Sequence, residues 1–443
     1  MTQGVCCTLF AFYRHGIFAA HLLLFAKMCI FFCHIAMRKS ALAVKKFIFQ
    51  GEKTMKRRIL SLMVAMIMAI TCFTACANDA GKTPDESDNS VVNVDDAASY
   101  DGKLEFDHAM ELEYAKCFSV DYYKGGYKIA KIVDGTTMLI VPEGMSVPAD
   151  APKDAIILKQ PVSNLLVSST PVTSLINAVG ALDAISLTTY DVDSWYIDEV
   201  IDAMNAGKIT YIGEHKEPDY ELITASGAEV AFWSTMLTDE VKAQVEQLGL
   251  RIILDQSAEE DHPLARVEWA KLYGAIFNCE DKANEVYNTQ AGYVNEIAKL
   301  EDNGKTVAIF YITSKGKLYA RNADDYMAKM VDLAGGAYAL PDVGVGEVGT
   351  INMEMEAFYD KAKDADYIIY VWSLGGKPET LADFLSKSEV LAEMAAVKNG
   401  NVWCTTPDFF QIQDTIGSMI NDIHLMFEAD ASVDALTYLR RLK

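Results

Sequence analysis

Aromatic and hydroxyl side chains that fall where apolar runs end are the residues of this chain best typed to hold a ligand. Trp195 and Tyr196 lie in "DVDSWYIDEV", Trp233 closes "EVAFW", Trp372 closes "YIIYVW", and Phe409 with Phe410 follow "VWCTTPD". Such rings can wall a flat, partly apolar molecule while a few polar groups orient it. Ser168, Ser169 and Thr170 end another apolar run and offer hydroxyls and backbone N–H groups. Arg321, in "GKLYARNADDY", carries the planar donor fork that suits a ligand carboxylate or anionic chelate oxygen. Each has a plainer reading: strand-end rings also cap cores, and Arg321 has Asp324 and Asp325 close by in sequence. Trp403 lies inside its run and reads as core.

Turnover chemistry is not written into the chain. There is no GxSxG, Walker loop or HExxH, and no GxGxxG after a strand. The Gly-rich "GVGEVG" (344–349) has no strand before it and reads as a loop, and Asp255 and Glu268 form no visible dyad. A bare transition-metal site needs several His plus a carboxylate. Past Cys76 only His108, His215, His262 and His424 remain, without a His-rich loop. The expectation is a binding protein, not an enzyme, with no metal and no cofactor of its own.

The elements that must position these residues follow from periodicity. Apolar runs at 155–162, 164–169, 184–188, 229–233 and 251–255 alternate with helical patterns at 172–179, 197–205, 220–226 and 239–248. Strands spaced by helices predict a parallel sheet. Before them, 127–144 reads as an antiparallel hairpin turning at Asp134-Gly135. From Pro263 to Leu300 there is no strand-like run, and apolar residues recur at helical spacing. One long helix, with an interruption near Asn278 as a variant, is the simplest reading. Alternation then resumes, with strands at 306–312, 367–372 and 401–406. Helices are predicted at 326–333, 353–362, 380–385 and 414–427, and "SVDALTYLRRL" is predicted as a terminal helix. The fold class is therefore α/β: two Rossmann-like lobes joined by one long helix, with a ligand cleft between them, facing the strand ends.

The chain has 443 residues and a formal net charge of −23. The charge is uneven, because residues 1–75 hold ten of the basic residues and a single acid, Glu52. The remainder repels nucleic acid and anionic lipid, so no nucleic-acid partner is expected. From Met55, "MKRRILSLMVAMIMAITCFTAC" has a basic start, an apolar run and small residues before Cys76. Phe73-Thr74-Ala75-Cys76 resembles the lipobox of bacterial lipoproteins, with Phe where Leu is usual. That implies lipidation of Cys76 and a membrane anchor on the extracytoplasmic face. Residues 76–105 are acidic and polar and read as a tether. Residues 1–54 read as an extension ahead of the true start, with Gly51-Glu52 encoding a ribosome-binding sequence. Cys117, Cys279 and Cys404, far apart in the chain, read as three lone buried thiols.

The order of these parts resembles the helical-backbone class of ABC-transporter substrate-binding proteins. The stretches that carry the resemblance are "EPDYELITASGAEVAFW", "EEDHPLARVEWAKLYGAIF", "MAKMVDLAGGAYAL" and "MEMEAFYDKAKDADYIIY". It covers roughly residues 120–443. It implies capture of an iron–siderophore, haem or corrinoid complex and delivery to a permease with its ATPase. In that family an acid on each lobe docks to the permease. Glu221 matches in the first lobe; in the second, Glu356 is preferred over Glu354. The plainer reading of each is a solvated carboxylate favoured by the helix dipole. The expected boundaries are 106–262 for the first lobe, 263–300 for the helix and 301–443 for the second lobe. The competing readings are a metal-ion receptor of related fold and a chelatase-like enzyme on the same fold.

Overall fold

Five strands open the described part of the chain: β1–β5 (Phe106–Ala109, Phe118–Tyr123, Lys128–Ile132, Thr137–Val141, Ile156–Lys159). They form one sheet in sequence order, antiparallel except for the parallel β4–β5 pair. The computed structural model describes residues 102–443, all within one compact unit. The leader, lipidation and start-site expectations, Cys76 among them, lie outside the described residues. Gly102–Glu105, expected in the tether, are pinned to the sheet: Leu104 N–H donates to Asp150, and Glu105 O accepts from Lys124 N–H. The hairpin at Asp134-Gly135 is present as β3–β4, with Gly135 at φ +93.

The first lobe follows as strand–helix units: β6 (Leu165–Ser168), α1 (Thr170–Ala178), β7 (Ile185–Thr188), α2 (Asp198–Asn205) and β8 (Thr210–Tyr211). After the short hairpin β9–β10 (Gly213–Glu214, Glu217–Pro218) come α3 (Tyr220–Ser226), β11 (Val230–Ser234), α4 (Asp239–Gln247) and β12 (Arg251–Asp255). The sheet is parallel, in the order β12-β11-β6-β7-β8. Helices start where side chains can serve the orphan N–H groups: Ser169 caps α1, Asp219 caps α3 and Thr238 caps α4.

The interlobe segment is two helices, α5 (Pro263–Phe277) and α6 (Glu280–Ile297), the interrupted variant of the long helix expected, with the break at Asn278. Asn278 takes the left-handed conformation (φ +59), which ends α5, and Cys279 starts the next helix. The pair ties both cores together. Trp269, Leu272, Tyr273 and Ile276 pack into the first lobe; Leu264, Val267, Tyr287, Val294 and Ile297 pack into the second.

The second lobe comprises β13 (Thr306–Ile312), β14 (Leu318–Arg321), α7 (Tyr326–Leu333), β15 (Ala337–Tyr338), β16 (Thr350–Met353) and α8 (Met355–Ala362). It continues through β17 (Tyr367–Tyr370), α9 (Leu381–Leu385), α10 (Ala395–Lys398), β18 (Val402–Thr405), α11 (Ile416–Glu428) and β19 (Leu439–Arg441). Its sheet runs β16-β14-β13-β17-β18-β19, with β15 beside β13. The central β13, β17 and β18 are parallel. The predicted terminal helix is instead β19, antiparallel to β18 with Cys404 opposite Arg440. The open edge of β18 supplies backbone partners that a lone helical turn at a chain end lacks. Gly417 lets α11 press onto α6, because a Cβ there would meet Gln290 O at 2.1 Å.

Candidate functional site

The C-terminal ends of β6, β11 and β12 bring Ser169, Ser234 and Asp255 to one side of the first lobe, where a cavity of about 320 Å³ opens. Tyr326, Phe409 and Phe410 face it from the second lobe. The strand-end position is where an open parallel sheet leaves room for a ligand. The volume lies at the small end of the range for ligand pockets.

Asp255 is buried at the inner end. Its carboxylate accepts from Ser257 N–H (2.9 Å) and from the Ser169 hydroxyl (3.3 Å). Burial pushes its pKa up, against the pull of those bonds and of the Arg266 guanidinium. Burial raises the Tyr273 pKa, and the Asp255 charge adds to that shift. Ser257 and Gln413 extend the polar floor: the Ser257 hydroxyl donates to Gln413 (3.4 Å), which donates to Arg266 O (2.9 Å).

Arg266, on the first turn of α5, stacks over the Tyr326 ring at 3.9 Å and donates through Nη2 to Ala258 O at 2.5 Å. Its Nε is buried without a hydrogen-bond partner. Arg321, at the end of β14, is also buried. Its Nη1 stands 3.6 Å from Asp325, and its Nε and Nη2 have no partner. Burial raises the Tyr326 pKa, and Arg321 and Arg266 both oppose that shift. Two guanidinium groups with spare donors therefore stand near one tyrosine at the cavity wall.

Of the sequence-predicted contacts, the structure brings Ser169, Thr170, Phe409 and Phe410 to the cavity. The remaining six do not line it. Trp195 is in the first-lobe core, its Nε1 donating to Tyr190 O at 3.4 Å. Tyr196 is exposed beside it. Trp233 is fully buried in a smaller core behind the sheet. Trp372 is buried against the second-lobe core, with Nε1 3.2 Å from Glu379. Arg321 sits behind Phe410, 5.6 Å from its ring. Ser168 is buried against Thr189. Sequence reasoning did not select Asp255, Arg266, Tyr326 or Gln413. Asp255 carries the same strand-end signal in "RIILD"; a search confined to rings and hydroxyls passes over it.

Among the described residues, no group of three or more His, Cys, Asp or Glu side chains is placed to hold a metal ion. Cys404 is buried, whereas Cys117 and Cys279 are only half-buried; all three are free.

A buried acid with a raised pKa costs stability when ionised. Its favourable share is present below the unfolded pKa and lost as pH rises through the folded one. Asp255→Asn keeps the acceptor oxygen and removes the charge. It should raise Tm by about 2–5 °C at pH 7, with the gain vanishing near pH 4. Thermal melts at the two pH values check this, and a loss of stability at pH 7 would show that the charge is structural.

Glu221 and Glu356 occupy matching places. Each is the second residue of its helix, α3 and α8, and each is exposed. Both helices lead into a parallel strand, β11 and β17. They run against those strands, so both helix starts lie on the strand-end side, where the cavity opens. Glu354 is the N-cap residue of α8.

A family model described as periplasmic binding protein matches residues 167–409, more than half of the chain. A lipoprotein of Methanocaldococcus jannaschii is 22% identical over 382 residues, covering 80% of this chain and 89% of its own. The chain is similar to the periplasmic heme-binding protein HutB of Vibrio cholerae, at 14% identity, 58% coverage of this chain and 97% of that one, TM-score 0.48. It is also similar to a periplasmic binding protein from Veillonella parvula, at 19% identity, 59% and 90% coverage, TM-score 0.48. With its two lobes, paired interlobe helices and strand-end cavity, the chain belongs to the periplasmic binding protein family and is a solute-binding protein rather than an enzyme.

Proposed function

We propose that this chain is the solute-binding lipoprotein of an ABC importer, and that it captures an anionic metal chelate, a ferric siderophore or haem, between its lobes. The observation that carries the ligand class is the Arg266 guanidinium, which lines the cavity beside Tyr326 with its Nε unpartnered, while Arg321 adds positive charge behind Phe410. A buried donor that lines a cavity and has no protein partner is free to take a solute acceptor. A guanidinium there favours a solute of net negative charge over a neutral or cationic one. Phe409 and Phe410 supply the apolar wall for the chelate. The anchor rests on the Cys76 sequence pattern and on the lipoprotein relative.

Titrating the full-length chain with haemin, a ferric hydroxamate or catecholate chelate, and cyanocobalamin, followed by absorbance, tests the ligand class. One-to-one binding of an iron chelate and none of the corrinoid is expected. Preference for cyanocobalamin would reject the anionic class.

Glu221 and Glu356 are the proposed permease contacts, one on each lobe, and their charge would set the docking register. Glu221→Lys and Glu356→Lys should each lower chelate uptake by cells about tenfold or more, while the Kd of the purified chain stays within about twofold. Glu354→Lys should leave uptake near wild type. A fall in affinity with either of the first two would remove the docking assignment.

A further inference from the structure

One short segment of the second lobe, between β18 and α11, makes a run of polar contacts to the first lobe. We infer that Gln411 in this segment is the gate residue of the cavity, a latch whose two exposed bonds must break for solute to pass Phe410. This rests on the reading of the strand-end cavity as the solute site.

The Gln411 side chain pairs with first-lobe backbone in both directions: Oε1 accepts from Tyr196 N–H at 2.9 Å and Nε2 donates to Ser194 O at 2.7 Å. Both bonds are exposed. Two residues on, Gln413 is buried and bonds Arg266 O on α5 and the Ser257 hydroxyl. Asp414 then pairs with the Ser174 hydroxyl on α1. The segment is thus fixed at its Gln413–Asp414 end by buried or half-buried bonds. At its other end, among the described residues, the only interlobe hydrogen bonds made by residues 408–411 are the two from Gln411.

Phe409 and Phe410 lie between β18 and the latch and line the cavity. Their rings pack edge to face at 5.5 Å; Phe409 is buried in the second-lobe core, and the half-buried Phe410 is the outer apolar cover. Exposed bonds exchange readily with water, whereas buried ones leave groups unsatisfied when broken. Opening therefore begins at Gln411 and swings Phe410 aside while Gln413 and the core-packed Phe409 hold. The opposing loop is stiff: Asp191 accepts from Ser194 N–H and hydroxyl, and Trp195 between the two latch points is buried. That leaves Phe410 and Gln411 to move. A side-chain amide suits this role because it donates and accepts at once without adding charge beside the cavity mouth.

Hydrogen exchange by mass spectrometry on the full-length chain without solute tests the gate. In Gln411→Ala, the peptide containing Tyr196 and the peptide spanning 407–411 should exchange roughly tenfold faster. Amides of α11 should keep wild-type rates, and Tm should stay within about 2 °C. Gln413→Ala provides the contrast: it should lower Tm clearly and speed exchange in α1 and α11. Unchanged protection at Tyr196 in Gln411→Ala would overturn the latch. So would faster exchange throughout both lobes, which would make Gln411 a general structural tie. Because no solute enters this experiment, its outcome is independent of whether haemin or a ferric chelate binds.

Discussion

Replacing Arg266 by Met is expected to weaken binding of the anionic chelate by about 100-fold or more while the chain still folds. Methionine keeps the length and flexibility of the side chain and its packing over Tyr326, and removes the charge and the donors. The Gln413 bond to residue 266 is to backbone oxygen and survives the change. The bond from Nη2 to Ala258 O is lost, a modest cost next to the loss of a buried countercharge for the solute. Arg321→Met should cost less, because Arg321 stands behind Phe410 and already faces Asp325. The two arginines share Tyr326 as a neighbour, so the double variant should not be additive. Isothermal titration with whichever iron chelate binds the wild type measures all three. A Kd for Arg266→Met within about threefold of wild type would mean that the solute is held by the hydroxyls and rings alone, and the anionic class would fall with it.

The strand–helix alternation was readable because each element shows its own period, and Ser169, Phe409 and Phe410 were readable because strand ends and following loops are where such a sheet exposes side chains. Trp233 shows why the same rule misplaces others. On β11, Phe232 and Trp233 point to opposite faces, one into the first-lobe core and the other into the core behind the sheet. A ring that is still within the pleat is aimed at a layer, not at the strand end. Arg266 is illegible for a different reason. It sits in a helix that is buried almost all round, from Pro263 to Ile276, so no polar face in the sequence marks which side meets the cavity. The terminal helix failed because apolar spacing in "SVDALTYLRRL" competes with an unpaired strand edge elsewhere in the chain. Local pattern carries no knowledge of that edge.

Glu268→Ala should cost about 3–5 kcal/mol of stability, the largest expected effect of any single change remote from the cavity. Glu268 is fully buried on α5 and accepts three successive backbone N–H groups, from Glu113 (2.8 Å), Tyr114 (2.9 Å) and Ala115 (2.8 Å), along with Lys271 Nζ (2.7 Å). Glu260, just before α5, continues the series with Lys116 (3.0 Å) and Cys117 (2.9 Å). Five consecutive amides that no strand could pair in this place are thereby satisfied by two carboxylates. The strap they hold also spans both lobes: Tyr114 packs on the second-lobe core, and Leu112, Ala115 and Cys117 pack on the first. Alanine at 268 leaves three half-buried amides without their acceptors and Lys271 without its partner. Burial opposes ionisation of Glu268, but Lys271 and the three amides outweigh it and hold its pKa below the usual carboxylate value. A carboxylate with a lowered folded pKa contributes in full above its unfolded pKa, about 4.3, and loses that contribution as pH falls through the folded one. The gap between wild type and Glu268→Gln should therefore be wide at pH 7 and close below about pH 4. Urea melts at both pH values measure it. A gap that persists unchanged in acid would assign the strap's hold to packing of Tyr114 and its neighbours rather than to the charge on α5.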